Sequence, residues 1–470
     1  MFSNDQIETK HQKSSVLNRR YRNQLLAAIT VQFISFAHGI AIGWSSPTLL
    51  KLQSNDSPTN FVVSVEQVSW IGSLFGLGSL AGNAFGLLLN QIGRKWCLYL
   101  TALPYIVAWI LIFFSKSYIY LYVARFLHGI TDGAIFLVIP IFISEIADPS
   151  IRGTLASLLT LFFSFGIMVG FIFSSHLDYY LNPCISVIFP ILYLLTISRF
   201  PDTPQYLLRK QHIDKAHKSF RFYKNSTQLK SIEATSAEQQ ELNVDGQFEE
   251  LKQNILSSHN QADKVTFKDF VSWESLKAFL SAFIVLALRQ FSGYMAFLFY
   301  MSEIFANAGT DMNPNTCTII TGLAQIAGTS FIIITVDRFG RKLLMLVSSG
   351  GMAVGLFSFA LYIQYASDDL KLEYNWLPVV IMVFVILMAN IAVTGLIIVE
   401  LFPAKIRAPA NTICMCFASI MIFVALKVFP LIMQNYGLAT LLLSCGGVAV
   451  LGGLYILPFL KETKGISMDK

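Results

Sequence analysis

Paired charges recur along this chain at matching intervals. Glu145 and Arg152 follow one apolar run, and Glu400 and Arg407 follow another with the same spacing. Asn90–Lys95 (NQIGRK) and Asp337–Lys342 (DRFGRK) repeat in the same relation to those pairs. Carboxylates and guanidinium groups at the ends of apolar helices can form partly desolvated ion pairs, able to hold one arrangement and release another. Arg125, Arg289, Lys427 and Asp132 instead fall inside apolar runs. A charge at the centre of a membrane helix costs about 2.5–3.5 kcal/mol on insertion scales, so each needs a partner or an aqueous face. Asp132 and Arg289 are expected to neutralise one another across a cavity; an Arg289 without that partner would suit an anionic solute. His38 and His128 are expected to be hydrogen-bonded packing residues, and Lys427 a snorkelling or helix-packing residue. No nucleophile with its base, no paired carboxylates and no phosphate-binding loop stand together, which argues against an enzyme and against a nucleotide or prosthetic group. Cys97, Cys184, Cys317, Cys414, Cys416 and Cys445 are scattered rather than set at ligand spacings. Neither a disulfide framework nor a metal site is expected.

The elements that must carry these residues are membrane helices. Of 470 residues, 54% are hydrophobic and 13% charged, against roughly a quarter charged in soluble domains. Twelve apolar runs are long enough to cross a bilayer, near 23–47, 67–89, 96–114, 118–144, 154–175, 184–200, 277–301, 315–336, 343–365, 377–402, 409–433 and 438–458. A soluble enzyme and a nucleic-acid binder are thereby excluded; the partners expected are the lipid bilayer and a small molecule. The first run lacks a small-residue cleavage pattern and reads as a retained helix. The expected fold is an all-α membrane protein with twelve transmembrane helices in two pseudo-symmetric six-helix bundles. A tail (1–22), a first bundle (23–200), a polar loop (201–276), a second bundle (277–458) and a tail (459–470) follow one another. Within the loop, 214–223 and 248–256 read as short amphipathic helices and 226–246 as irregular. Most of the 34 Lys and Arg fall on one side if the N-terminus is inside, which puts both termini and the loop in the cytoplasm. Asn55, in an Asn-Asp-Ser acceptor, then lies outside as a glycosylation site. Gly72, Gly76, Gly78, Gly82, Gly86, Gly166 and Gly170 have the spacing of close helix packing.

The sequence resembles the sugar porter branch of the major facilitator superfamily over nearly its whole length. The residues that carry the likeness are the two GRK loops, Arg125 with Gly129, Pro140–Glu145 (PIFISE), Arg152 with Gly153, Pro201–Leu207 (PDTPQYL), Glu400–Pro403 (ELFP), Arg407 and Glu462–Gly465 (ETKG). Within the branch it is most similar to insect facilitated trehalose transporter-like proteins, from Gly43–Pro47 (GWSSP), Arg152–Leu155 (RGTL) and Lys427 before Phe429. The resemblance implies a facilitative uniporter of a sugar, trehalose or a hexose, working by alternating access as a monomer in the plasma membrane. Two alternatives stay open: a facilitator of another small organic solute, and a non-transporting nutrient sensor. The resemblance also implies an inner gate of ion pairs among Arg94, Arg125, Glu145, Arg152, Asp337, Arg341, Glu400 and Arg407, with Arg125 pairing to the first GRK loop or to Glu145. Substrate contacts are expected at Gln290, Arg289 and Met295, where the family's QQLSGIN becomes RQFSGYM, and at Thr160, Gln325 and Gly395. Proton-coupled members resemble an acid in the first span facing the fourth-span arginine. Ser45 holds that place here, which favours uncoupled transport.

Overall fold

A computed structural model describes residues 21–225, 234–261, 267–403, 405–460 and 462. All its regular structure is helical. Span one is Arg22–Gln53, span two Val65–Gly82 continued by Phe85–Ile92, span three Arg94–Phe113, span four Tyr118–Ile146 and span five Pro149–His176. Span six is two short pieces, Leu181–Ser186 and Ile188–Ile197. The second half follows as Trp273–Phe291 with Tyr294–Asn307 (seven), Pro314–Phe339 (eight), Arg341–Tyr365 (nine), and Leu377–Ile391 with Thr394–Leu401 (ten). Arg407–Phe459 contains spans eleven and twelve, divided at Gly437, whose φ of 82° breaks the helix. The shortest of the long helices, span three, has 20 residues, which at 1.5 Å each rise about 30 Å, the hydrocarbon thickness of a bilayer.

Between the halves lie Pro204–Arg209, Ile213–Tyr223, Ala234–Gln261 and Phe267–Val271. The stretch expected to be irregular is helical from Ala234 onward, because its Ala, Glu, Gln and Leu residues favour helix despite their polarity; residues 226–233 lie outside those described. The membrane face on which these helices sit is the linker end, and the face carrying Asn55 is the far end.

Backbone contact dominates the first half. Gly39 and Gly43 of span one lie against the backbone around Gly166 and Gly170 of span five, and Gly78 of span two lies against Gly129 of span four. A Cβ at any of these positions would overlap main-chain atoms of the neighbouring helix. Two glycines of span two face the other half instead: Gly72 abuts the Tyr300 hydroxyl and Gly76 the backbone of Phe423. The second half is packed differently. Gly328, Gly351 and Gly355 meet the side chains of Asn390, Met388 and Val385.

The two halves touch from mid-membrane to the far end. Ser46 Oγ donates to Ser302 Oγ at 3.0 Å and accepts the Ser302 amide at 2.7 Å. Ser164 and Thr329 hydroxyls are 2.9 Å apart, and Lys427 Nζ reaches Ser69 Oγ at 2.9 Å beneath the Trp70 ring. Lys427 is thus a bridge between halves rather than a snorkelling cation. Thr160, one turn from Ser164 toward the linker end, is exposed. The bundles meet at the far end through these contacts, while Thr160 on the linker-end side of Ser164 is open.

Candidate functional site

The glycines of both GRK loops have positive φ, 95° at Gly93 and 82° at Gly340, a conformation that glycine adopts without strain. Each turn starts a helix whose free amides are covered by a carboxylate from the end of its own half. Asp202 of PDTPQYL accepts the Lys95 amide at 3.3 Å, and Glu462 of ETKG accepts the amides of Arg341 and Lys342 at 2.9 and 3.1 Å. Burial pushes the Asp202 carboxyl above its usual value. Arg94 then reaches Glu145 Oε1 through two nitrogens, at 3.0 and 2.7 Å, while Thr203 donates to Glu145 Oε2 at 2.5 Å. Its counterpart Arg341 lies 3.5 Å from Glu400, and Arg407 donates to the Phe402 carbonyl at 3.3 Å. Of the expected gate, Arg94–Glu145 and Arg341–Glu400 are therefore brought together, each within one half. Arg152 is exposed and lines a linker-end cavity with Glu145, Asp148 and Lys224. The Asp337 side chain lies outside those described.

Arg125 does not belong to this cluster. It is fully buried, donating to the Ala41 carbonyl at 2.9 Å and to Ser45 Oγ at 2.6 Å, with Phe299 of the second half 4.8 Å away beneath its guanidinium. Span four runs from the far end to the linker end, so twenty positions of helix, about 30 Å, separate it from Glu145. Asp132 does not meet Arg289 either. His38 Nε2 lies 2.9 Å from one carboxylate oxygen and Ser79 Oγ donates to the other at 2.8 Å. Ser79 in turn meets Ser419 of the second half at 3.0 Å, and Asn83 donates to Ser419 at 3.1 Å. The expected cross-cavity pair fails because the Asp132 carboxylate is already engaged by His38 of span one and Ser79 of span two.

The substrate-contact residues divide similarly. Gln325 Nε2 donates to the Tyr294 hydroxyl at 3.2 Å, and Asn390 Nδ2 donates to Gln325 Oε1 at 2.7 Å. This cluster joins spans seven, eight and ten at the helix break around Gly293, whose φ is 94°. Gln290 is 7% exposed with Oε1 unpartnered, an orphaned acceptor ready for a hydroxyl. Met295 is buried nearby in sequence, Gly395 has open space where a side chain would stand, and Thr160 donates to the Ser157 carbonyl. Arg289 turns into the second bundle, its guanidinium 4.3 Å from the Tyr294 ring centre. Tyr294 and Asn390 were missed by sequence reasoning; a lone Asn in the apolar run LMANIAV was the available signal, since an amide there needs a partner.

Twelve spans among the described residues, in two related bundles around buried amides and hydroxyls, make a solute carrier of the major facilitator fold. The family profile described as sugar (and other) transporter matches residues 27–470, and the chain belongs to that family. It is 28% identical over 95% of its length to a facilitated trehalose transporter Tret1 of Polypedilum vanderplanki, covering 87% of that protein. It is 28% identical to a Tret1-2 homolog of Drosophila sechellia, covering 90% of it, and 27% identical to Tret1 of Aedes aegypti, of which it spans about half, 54%. Among solved structures it resembles the partially occluded inward-open xylose transporter XylE of E. coli, with a TM-score of 0.74, 19% identity, 94% of this chain and 100% of the other covered.

Proposed function

We propose that this protein is a uniporter carrying trehalose or a hexose down its gradient across the plasma membrane, with both termini and the linker helices in the cytoplasm. On this reading the linker end is the inner face, and the structure is an inward-facing state with Asn55 exposed outside for glycosylation. The division into tails, two bundles and a linker at 1–22, 23–200, 201–276, 277–458 and 459–470 belongs to the same reading, as do a monomeric carrier and the absence of a nucleic-acid partner. The observation that carries it is the Tyr294–Gln325–Asn390 cluster. Mutually bonded amides and a phenol can exchange their partners for sugar hydroxyls without leaving a buried group unsatisfied. Gln290 Oε1 adds an acceptor. Uncoupled movement is supported by Arg125, whose described contacts are a carbonyl, a hydroxyl and the His128 imidazole, with no carboxylate among them.

The test is uptake of radiolabelled trehalose and hexoses into oocytes and proteoliposomes, with and without an uncoupler. Saturable uptake indifferent to the uncoupler is expected. Asn390→Ala and Gln325→Ala should each weaken apparent affinity about five- to a hundred-fold, as loss of about 1–3 kcal/mol requires. No uptake of any sugar, or uptake that the uncoupler abolishes, would overturn the proposal.

A further inference from the structure

The surroundings of Arg289 hold hydroxyls but, among the described residues, no carboxylate to balance its charge. Partly exposed Arg289 lines a cavity of about 40 Å³, open on one side, between spans seven, nine, ten and twelve. Among the described residues no carboxylate pairs with it; Asp132 is taken by His38 and Ser79. Ser348, 2% exposed, and Ser349 both line the cavity, and among the described residues neither hydroxyl has a hydrogen-bond partner. Thr394, also in the lining, donates only to the Met345 thioether at 3.8 Å, a weak acceptor. A cation and three hydroxyls therefore face one small space whose other walls are mainly apolar.

Waters could satisfy the hydroxyls but would leave the positive charge uncompensated at membrane depth, a costly arrangement. We propose that this cavity binds a small monovalent inorganic anion, chloride, held by the Arg289 guanidinium with Ser348, Ser349 and Thr394 as hydroxyl donors. Size selects the class: a space of this volume takes about two to three waters or one halide. The site is separate from the sugar cluster and meets it at one residue, since the Tyr294 ring faces Arg289 while its hydroxyl faces Gln325. The proposal does not depend on which solute is carried.

The purified full chain in detergent would be unfolded thermally in sodium chloride, sodium bromide or sodium gluconate at matched ionic strength. Chloride and bromide should raise the midpoint saturably by about 1–3 °C, and bulky gluconate should not. Bromide-soaked crystals should give an anomalous peak in contact with Arg289 and Ser348. Arg289→Gln should abolish the halide response. Should that variant fail to fold, Ser348→Ala/Ser349→Ala, which keeps the charge, should shift the half-saturating halide concentration upward about five- to tenfold. Equal midpoints in chloride and gluconate for the unaltered protein, a halide response that survives both variants unchanged, or a bromide peak elsewhere would overturn the proposal.

Discussion

Removing the Asp132 carboxylate tests the polar seam most directly. Asp132 is 6% exposed and His38 is fully buried between the rings of Phe75 and Phe163, so neither can turn to water. The carboxylate accepts from two described partners, His38 and Ser79. Hydrogen bonds to a charged group contribute about 1.5–3 kcal/mol each, so Asp132→Ala should cost about 3–6 kcal/mol. Part of that cost comes from leaving the His38 Nε2 unsatisfied, since Ser79 keeps Ser419 as a partner. His38→Phe, which suits the stacked rings, should recover some of it, giving a coupling of about 1–3 kcal/mol between the two positions. Arg289→Gln should add to Asp132→Ala within about 0.5 kcal/mol, as distant sites do. The measurement is thermal and denaturant unfolding of the detergent-purified single and double variants. A loss below about 1 kcal/mol for Asp132→Ala, or coupling to Arg289 in place of His38, would refute the reasoning.

Glu145→Gln removes the charge that Arg94 engages twice and should destabilise the first half by about 3 kcal/mol, read as a lower unfolding midpoint, because Arg94 is itself 3% exposed. Gly43→Val should prevent span one from seating on span five, since its side chain would enter the span-five backbone; loss of folded protein in size-exclusion profiles is the readout. Asp202→Asn carries a pH signature. With the folded carboxyl raised by burial above its unfolded value, the native Asp202 contributes most below about pH 4 and its contribution fades as pH rises through the folded value. The variant, a neutral mimic of the protonated acid, should therefore lie close to the native chain at pH 4 and gain on it at pH 7, measured by unfolding at both. Ser46→Ala removes the acceptor of the Ser302 amide at the far-end closure and should shift the conformational balance toward the opposite opening, read by cysteine accessibility at residues near Thr160.

Helix count and the duplicated charges were legible because apolar length and Lys–Arg asymmetry follow from the solvent alone. The partners of buried charges were not. Arg125 and Glu145 lie on one helix with opposite charges, yet helical rise keeps them apart; Asp132 and Arg289 share depth, yet His38 and Ser79 occupy Asp132 first. Sequence shows that a buried charge needs compensation, whereas the compensating residue depends on which helix faces approach. The seven, eight and ten cluster was half visible for the same reason: Gln325 stood out by resemblance, while Tyr294 acquires its role from the break at Gly293.

The two halves are built to different stiffness. Main chain seated on main chain through Gly39, Gly43 and Gly78 leaves no rotamers to rearrange, so the first half should move as one rigid body. Side chains such as Met388 and Val385 fill the corresponding seams of the second half, and span seven is interrupted at Gly293 and again at Tyr300, whose φ and ψ are −125° and 17°. Seams of side chains and interrupted helices can bend where backbone seams cannot, which would place the bending of a transport cycle in the second half, beside Tyr294.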